Sequence, residues 1–324
     1  MAGEGSREAG MIWASLWPFV LFAVGVIVVI WATERLLEGL VGLAGLLRVS
    51  TFAIAAVLSG FEAENVAVGL AAARREAAEL ALGTVFGGAI FLVCIALGLG
   101  ALLYPLRVTL PRGFLILMAV CPVLVGVGLI GGRTSRAAGV VLLLAFAAAV
   151  FYLVWASRDH TFLESEEVRE AEEAPRSYRA AVGLTVLGLI VIAVGGELVT
   201  RGAQGIVSVL GLSTLLVGMV VTPAAIEIEE VFRQAVPARE GRPEVAAGNL
   251  VGTLLYFLWF NMGLIALIFP VRVAPLVVRL DWPYLIGVTW LATLFIARGQ
   301  VGRAEGLLLV GLYGAYIVLH VALR

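Results

Sequence analysis

The sequence predicts an all-α membrane protein with ten transmembrane helices in two inverted five-helix repeats. Three observations lead to this prediction: apolar blocks long enough to span a bilayer, one hydrophilic interruption between them, and an internal repeat on either side of it. Of the 324 residues, 61% are hydrophobic and 14% are charged, and the mean hydropathy is +1.05. A soluble chain of this length would need more polar residues to cover its core.

Ten apolar blocks that can cross about 30 Å of hydrocarbon as helices can be drawn along the chain. In chain order, the first five cover 11–33 (continuing towards Glu38), 51–73, 79–103, 114–130 and 137–156. The next three begin near Ala180, Thr214 and Val245, and the last two cover 284–297 and 306–323.

A hydrophilic stretch, residues 157–179, carries most of the acidic residues that lie outside the apolar blocks, together with four arginines. Such a composition is typical of a solvated linker. It divides the chain into an N-terminal five-helix repeat (1–156), the linker (157–179) and a C-terminal five-helix repeat (180–324). Arginines are more numerous in the loops after odd-numbered helices, so the positive-inside rule places the linker in the cytoplasm and both termini outside.

The two halves match in sequence without a gap. Residues 57–108 laid over 222–273, at an offset of 165, give 16 identities in 52 positions. The matches that chance explains least are Glu62/Glu227, Glu64/Glu229, Arg74/Arg239, Gly83/Gly248, Gly87/Gly252, Pro105/Pro270 and Arg107/Arg272. Because each half has an odd number of helices, the second half enters the membrane from the opposite side. Inverted repeats of this kind build many secondary transporters, whose binding sites lie near the midplane between the repeats.

Acidic residues interrupt two of the apolar helices at matched places. Each costs about 2.5–3.5 kcal/mol to insert at the centre of a membrane helix. The five carboxylates are Glu62 and Glu64 in the second helix and Glu227, Glu229 and Glu230 in the seventh. No arginine lies within these two stretches, and we expect Arg35 and Arg201, from the first and sixth helices, to be the side chains that could reach them.

Helical spacing sorts these residues into faces. Glu62 lies three residues before Asn65, and Glu227 lies three residues before Glu230, so each pair shares a face. The other two glutamates point away from that face: Glu64 and Glu229.

Gly60 and Pro223 precede the two acidic clusters and can loosen the helix there. A break would free backbone carbonyls to join the carboxylates as hard oxygen ligands for Ca²⁺, Na⁺ or a proton relay. The alternative is that some of the glutamates are loop residues at a helix end. Neutral oxygens from the third and eighth helices complete the predicted site: Thr84, Asn249, Thr253 and Asn261.

At these residues the sequence resembles the calcium/cation antiporter superfamily, whose members carry two alpha repeats. Each repeat in that family reads roughly GTSLPE and then, about eighteen residues on, GNVVGSNIFN. The chain has Gly248 and Asn249 at the GN pair, and Gly252 and Thr253 at the GS positions. The first-repeat glycines are Gly83 and Gly87.

Counting back eighteen residues places Glu230 and Asn65 at the ligand glutamate of the family, and Gly60 then falls on the first glycine of GTSLPE. A slip of one residue instead places Glu64 and Glu229 there, and both registers stay open. In the first register the chain departs from the family pattern: Asn65 replaces a glutamate, Glu62 and Glu227 replace a serine, and Leu92 and Phe257 replace the last Asn or Asp ligand.

The resemblance implies a secondary active transporter that carries Ca²⁺ or a related cation against Na⁺ or H⁺ by alternating access. The residues expected to bind the cation are Glu62, Glu64, Asn65, Glu227, Glu229, Glu230, Thr84, Asn249 and Thr253. We expect the lipid bilayer and inorganic cations as partners, and no resident cofactor, nucleic acid or obligate protein partner. The expected location is the plasma or inner membrane.

Two other classes of function remain as alternatives. Because several family ligands are replaced, a non-transporting sensor derived from an exchanger is the first. An intramembrane enzyme is the second, and it lacks the residues its chemistry would need. The two histidines, His160 and His320, do not form a zinc-protease motif, and Asp159 and Asp281 are predicted in or beside loops.

Overall fold

Helices account for almost all of residues 2–46, 60–156 and 177–323, which are the residues that this computed structural model describes. The first six are α1 (Ala2–Leu46), α2 (Ala63–Arg74), α3 (Ala78–Leu103), α4 (Arg112–Gly132), α5 (Arg136–Ala156) and α6 (Tyr178–Leu210). The other five are α7 (Thr214–Ile226), α8 (Ile228–Arg239), α9 (Pro243–Ile268), α10 (Val277–Ala297) and α11 (Arg303–Ala322). Two strands complete the fold, β1 (Leu106–Arg107) and β2 (Gln300–Val301).

Eight helices in the described residues are long and apolar enough to cross a membrane: α1, α3, α4, α5, α6, α9, α10 and α11. The chain is therefore a multi-pass, all-helical membrane protein, as predicted. The other two predicted helices differ from the expectation. Residues 51–59 of the second lie outside the described residues, and the seventh is divided at Glu227 into α7 and α8.

The bounds of the helices repeat along the chain. The offset of 165 residues that aligns the two halves also carries α2 onto α8, α3 onto α9 and α4 onto α10, residue for residue. Both α3 and α9 contain a widened turn, at Leu92–Ala96 and Tyr256–Asn261. These two helices are also the most buried of the candidate spans. The repeat seen in the sequence thus recurs in the bounds of these three pairs of helices.

The long helices α1 and α6 pack against each other along most of their length. Small residues make the close approach possible, since a Cβ added to Gly25 would lie 2.6 Å from the backbone nitrogen of Val199. Helix α6 also lies against α2, where a Cβ on Gly196 would come within 2.8 Å of the Ala67 backbone. These contacts place one side of the carboxylate-bearing α2 against α6.

Two short backbone pairings tie the halves together. Strand β1, which follows α3, pairs antiparallel with β2, so that Arg107 lies opposite Gln300. Arg272, which follows α9, forms an isolated bridge with Arg133. Because β1 precedes α4 and Arg133 follows it, the two pairings lie at opposite ends of that helix.

The prediction that Asp281 lies in or beside a loop is wrong. Helix α10 begins seven residues earlier than the sequence suggested, through a widened turn at Val277–Asp281, and Asp281 is fully buried. Its carboxylate accepts a hydrogen bond from the Tyr316 hydroxyl (2.7 Å) and lies 2.6 Å from His320 Nε2. Both partners lie on α11 and contact Oδ1 of the carboxylate, whereas Oδ2 is buried without a hydrogen-bond partner in the described residues. Asp159 lies outside the described residues.

Candidate cation site

The candidate site lies where the start of α2 meets the break between α7 and α8. Helix α2 begins directly after Glu62, and two residues earlier Gly60 adopts a φ of +70°. A Cβ on Gly60 would overlap the backbone of Gly252 and Thr253 on α9. Both the positive φ and this close approach require glycine, and together they fix Glu62 beside α9.

The second break lies at the equivalent position of the other half. Glu227 ends α7 and precedes α8 with φ −88° and ψ 6°, and its N–H donates to the Pro223 carbonyl at 2.7 Å. Glu62 and Glu227 therefore lie at helix starts 165 residues apart. This position agrees with a break in the helix near Gly60 and Pro223, and also with the alternative that these glutamates lie at a helix end. Both residues are only 1% exposed.

Carboxylates from the two halves meet at Asn65. Its Nδ2 donates to Glu227 Oε1 at 2.6 Å and lies 3.2 Å from Glu62 Oε2. The oxygen of this amide, Oδ1, is buried and has no hydrogen-bond partner in the described part of the chain. An acceptor oxygen therefore stands without a donor beside two buried carboxylates.

Arg233 was missed by the sequence analysis, which looked to Arg35 and Arg201 to neutralise the acidic residues. That expectation is wrong, because Arg35 pairs with Glu38 on its own helix and Arg201 pairs with Glu197 at 2.8 Å. Arg233 Nη1 instead lies 2.6 Å from Glu230 Oε1 and 3.2 Å from Glu62 Oε1.

Helical spacing carried a signal for Arg233, since it stands three and four residues after Glu230 and Glu229. Its Nη2 lies 3.0 Å from Glu229 Oε1. Arg233 directly follows Phe232, the last residue of the apolar and acidic stretch, and therefore escaped the prediction.

The remaining predicted site residues surround this centre at different distances. Glu230 accepts a hydrogen bond from Asn249 Nδ2 at 3.2 Å, which joins α8 to α9. Glu64 accepts a hydrogen bond from the Thr33 hydroxyl on α1 at 2.8 Å. Glu229 is the most exposed of the five glutamates, with 29% of its side chain accessible.

The two threonines are buried, and neither forms a hydrogen bond with a carboxylate among the described residues. Thr84 Oγ1 donates to the Ala81 carbonyl at 2.8 Å and lies 3.5 Å from Asn261 Nδ2. Thr253 Oγ1 is buried without a hydrogen-bond partner in the described residues, directly beside Gly60. The backbone of Thr253 thus lies beside Gly60, whereas Thr84 belongs to a separate polar pair with Asn261.

The site combines hard oxygen atoms with one organic cation. Carboxylate and amide oxygens are the ligands that Ca²⁺ takes in proteins. As the side chains stand, no three acidic, histidine or cysteine groups in the described residues converge on a point where a metal ion could bind. The guanidinium of Arg233 lies between the carboxylates instead. That the nine predicted residues bind a cation stays a prediction.

Known proteins resemble the chain over nearly its whole length. The family model described as "Sodium/calcium exchanger protein" matches residues 17–155 and 180–322. Inner membrane protein YrbG of Escherichia coli is 28% identical over 306 residues, which are 90% of this chain and 93% of YrbG. CaxA of Alkalimonas amylolytica is 26% identical and is matched over 92% of this chain and 96% of its own.

The fold also matches a solved structure, the sodium-calcium exchanger NCX_Mj soaked with 100 mM Na⁺ and 10 mM Sr²⁺. The TM-score is 0.61 at 22% identity, and the match covers 96% of this chain and 99% of that one. At this identity the likeness concerns the fold alone.

Proposed function

Because the chain belongs to the sodium/calcium exchanger protein family, a family of transporters and not a class of enzymes, we propose that it is a cation antiporter. It exchanges Ca²⁺ or a related cation against H⁺ or Na⁺ by alternating access. The observation that carries this proposal is the hydrogen bond from Asn65 to Glu227 at 2.6 Å, which brings the acidic clusters of the two halves together. A cation held there contacts both halves.

The unpartnered Oδ1 of Asn65 supports a cation as the ligand. Ca²⁺ takes six to eight oxygen atoms at about 2.3–2.6 Å, and buried acceptor atoms rarely remain without a donor. Asn65 Oδ1 is such an atom, on the side chain that contacts the carboxylates of Glu62 and Glu227. It becomes satisfied when a cation binds.

Ten membrane-crossing segments in two inverted five-helix repeats are part of the proposal. Arg107 and Arg272 are equivalent in the repeat, yet their backbone pairings lie at opposite ends of the candidate span α4. Equivalent loops on opposite faces are what inversion requires, and parallel repeats would place them on one face. One of the two further segments would be residues 214–239, which contain the break at Glu227; the other is the second predicted helix.

Alternating access follows from this symmetry, because exchanging the conformations of two inverted halves opens the site to the other side. The long helices α1 and α6, packed on each other, would move together over the remaining helices. The proposed location is the plasma or inner membrane, with the linker in the cytoplasm and both termini outside.

Carboxylates that face one another in a low-dielectric site cannot all remain ionised without a compensating cation. Protons are the simplest compensation, so we propose H⁺ as the coupling ion and keep Na⁺ as the competing outcome. No resident cofactor is needed for this cycle.

Flux into proteoliposomes containing the purified full-length chain tests the proposal. An outward-directed proton gradient is expected to drive uptake of radioactive Ca²⁺, and an imposed Na⁺ gradient is not. Uptake driven by Na⁺ alone would replace the coupling ion but keep the transporter. No flux of Ca²⁺, Sr²⁺ or Mn²⁺ under either gradient would overturn transport and favour the sensor.

The sensor has one observation in its favour. Arg233 already neutralises part of the site, as expected of a protein whose acidic residues hold a structural ion pair. Cation binding in detergent without flux in proteoliposomes would identify this function.

A further inference from the structure

Arg233 makes the two halves of the cation site chemically different. At the 165-residue offset its counterpart is Val68, which is completely buried, so the first half has no equivalent guanidinium. The same nitrogen, Nη1, lies 2.6 Å from Glu230 and 3.2 Å from Glu62. A single positive group on one half thus joins carboxylates from both.

We propose that Arg233 is a tethered cation that competes with the transported cation for Glu62 and Glu230. The inference rests on the proposed function, because it concerns the same site. When the site holds no ion, the guanidinium takes its place, and an arriving cation must displace it.

The distances make the two occupants exclusive. A Ca²⁺ ion needs carboxylate oxygens at about 2.3–2.6 Å, and Oε1 of Glu62 and of Glu230 are the atoms that Arg233 now contacts. Two positive groups sharing these oxygens in a buried site would repel each other strongly. The acidic groups can therefore converge on an ion only after the guanidinium leaves.

Glu229 gives the displaced guanidinium a place to go. It already contacts Arg233 Nη2 at 3.0 Å, and its side chain is 29% exposed, whereas that of Glu230 is fully buried. Arg233 itself is 18% exposed. A rotation towards Glu229 would keep one ion pair and move the charge out of the buried centre. This arrangement assigns Glu229 to the arginine and not to the transported ion.

Displacement also links binding to the movement of the halves. While Arg233 contacts both Glu62 and Glu230, it bridges α2 and α8. An entering cation replaces the bridge made by Arg233 with a bridge made by the ion, which can dissociate again. A ligand that makes different contacts in two conformations shifts the equilibrium between them.

Binding of ⁴⁵Ca²⁺ to the purified full-length protein tests the competition. Arg233→Gln removes the competing charge, so we expect Ca²⁺ to bind about tenfold more tightly or better, within the range usual for coupled sites. Arg233→Lys keeps the charge but lacks the second nitrogen that reaches Glu229, so a smaller tightening is expected. The matched control is Arg201→Gln, which removes an arginine from the Glu197 ion pair and should leave the affinity unchanged.

A purely structural arginine gives the opposite sign, because its loss would loosen the site. Unchanged or weaker binding in a folded Arg233→Gln protein would overturn the competition, and Arg233→Lys is judged by the same criterion if the glutamine variant does not fold. If the wild type transports Ca²⁺ and the affinity of Arg233→Gln is unchanged, only the competition is overturned. If the wild type does not transport but Arg233→Gln binds Ca²⁺ more tightly, the transport proposal is overturned and the competition stands. If neither protein binds Ca²⁺, the competition and the transport proposal are both overturned.

Discussion

The side-chain amide of Asn65 lies 2.6 Å from the carboxylate of Glu227, although 162 residues separate them in the chain. The contact is asymmetric, because the residue equivalent to Asn65 in the second half is Glu230, which pairs with Arg233 instead. One half therefore contributes a neutral amide where the other contributes a carboxylate with its own counter-ion. The centre therefore carries less negative charge than the number of glutamates suggests.

Replacing Asn65 by Asp removes the donor to Glu227 and places a third buried carboxylate between Glu62 and Glu227. An uncompensated buried charge costs about 3–5 kcal/mol, so we expect a lower thermal midpoint in the absence of divalent cations. Added Ca²⁺ should raise the midpoint more than in the wild type, since a bound cation compensates the new charge. The exposed Gln300, changed to Glu, is the control for an added carboxylate. An equal Ca²⁺ response in Asn65→Asp and wild type would contradict this prediction.

Glu227→Gln and Glu230→Gln test the carboxylates that the two halves supply. Each keeps the shape of the side chain but removes the negative charge, so we expect Ca²⁺ flux in proteoliposomes to fall by about 100-fold or more, beyond the effect of losing a residue that only supports a metal ligand. Glu240→Gln, at an exposed position after α8, should transport normally. Wild-type flux in both site variants would mean that other residues bind the ion.

Calcium binding is expected to weaken as the pH falls. If the empty site retains protons because its carboxylates cannot all be ionised together, each Ca²⁺ that binds must release some of them. Calorimetry in buffers of different ionisation enthalpy measures the protons released per bound Ca²⁺, and it needs no flux. Binding that releases no protons and does not change with pH would favour Na⁺ as the coupling ion.

The sequence predicted most of the helices because a continuous apolar block of about 20 residues satisfies its backbone groups in a bilayer by forming a helix. The residue offset of the repeat was visible because of the residue types that match. Glu, Gly and Pro are costly or distinctive inside membrane helices, so their matches carry information that leucine matches lack. The bounds of α2, α3 and α4 recur in α8, α9 and α10 at that same offset.

The site was harder to predict, because its partners come from different helices. Spacing along one helix placed Glu64 off the face that Glu62 shares with Asn65, but nothing in the sequence showed that Thr33 on α1 would be its donor. The helical spacing from Glu229 and Glu230 does predict the contact with Arg233, but the predicted acidic stretch ends at Phe232. Asp281 was misplaced because its partners, Tyr316 and His320, are about 35–39 residues away.

The buried cluster around Asp281 is predicted to stabilise α10 against α11. Asp281→Ala leaves Tyr316 and His320 without their acceptor, and we expect a loss of about 3 kcal/mol or more. Tyr316→Phe removes a single hydrogen bond to the carboxylate and should cost about 1.5–3 kcal/mol. Thermal unfolding of the purified variants in detergent measures both. An Asp281→Ala protein as stable as the wild type would show that the cluster contributes nothing to packing.

Gly241 is a suitable control for Gly60, because both adopt a positive φ, +79° and +70° respectively. A Cβ on Gly60 would overlap the backbone of Gly252 and Thr253, whereas one on Gly241 would meet nothing within 4 Å. Gly241→Ala should therefore cost only the strain of the left-handed conformation, about 1–2 kcal/mol. Gly60→Ala adds the clash that separates α2 from α9 and moves Glu62 away from Asn65, so we expect both a larger loss of thermal stability and loss of Ca²⁺ binding. Equal losses of stability with binding intact in both variants would show that the close approach at Gly60 does not position the carboxylate.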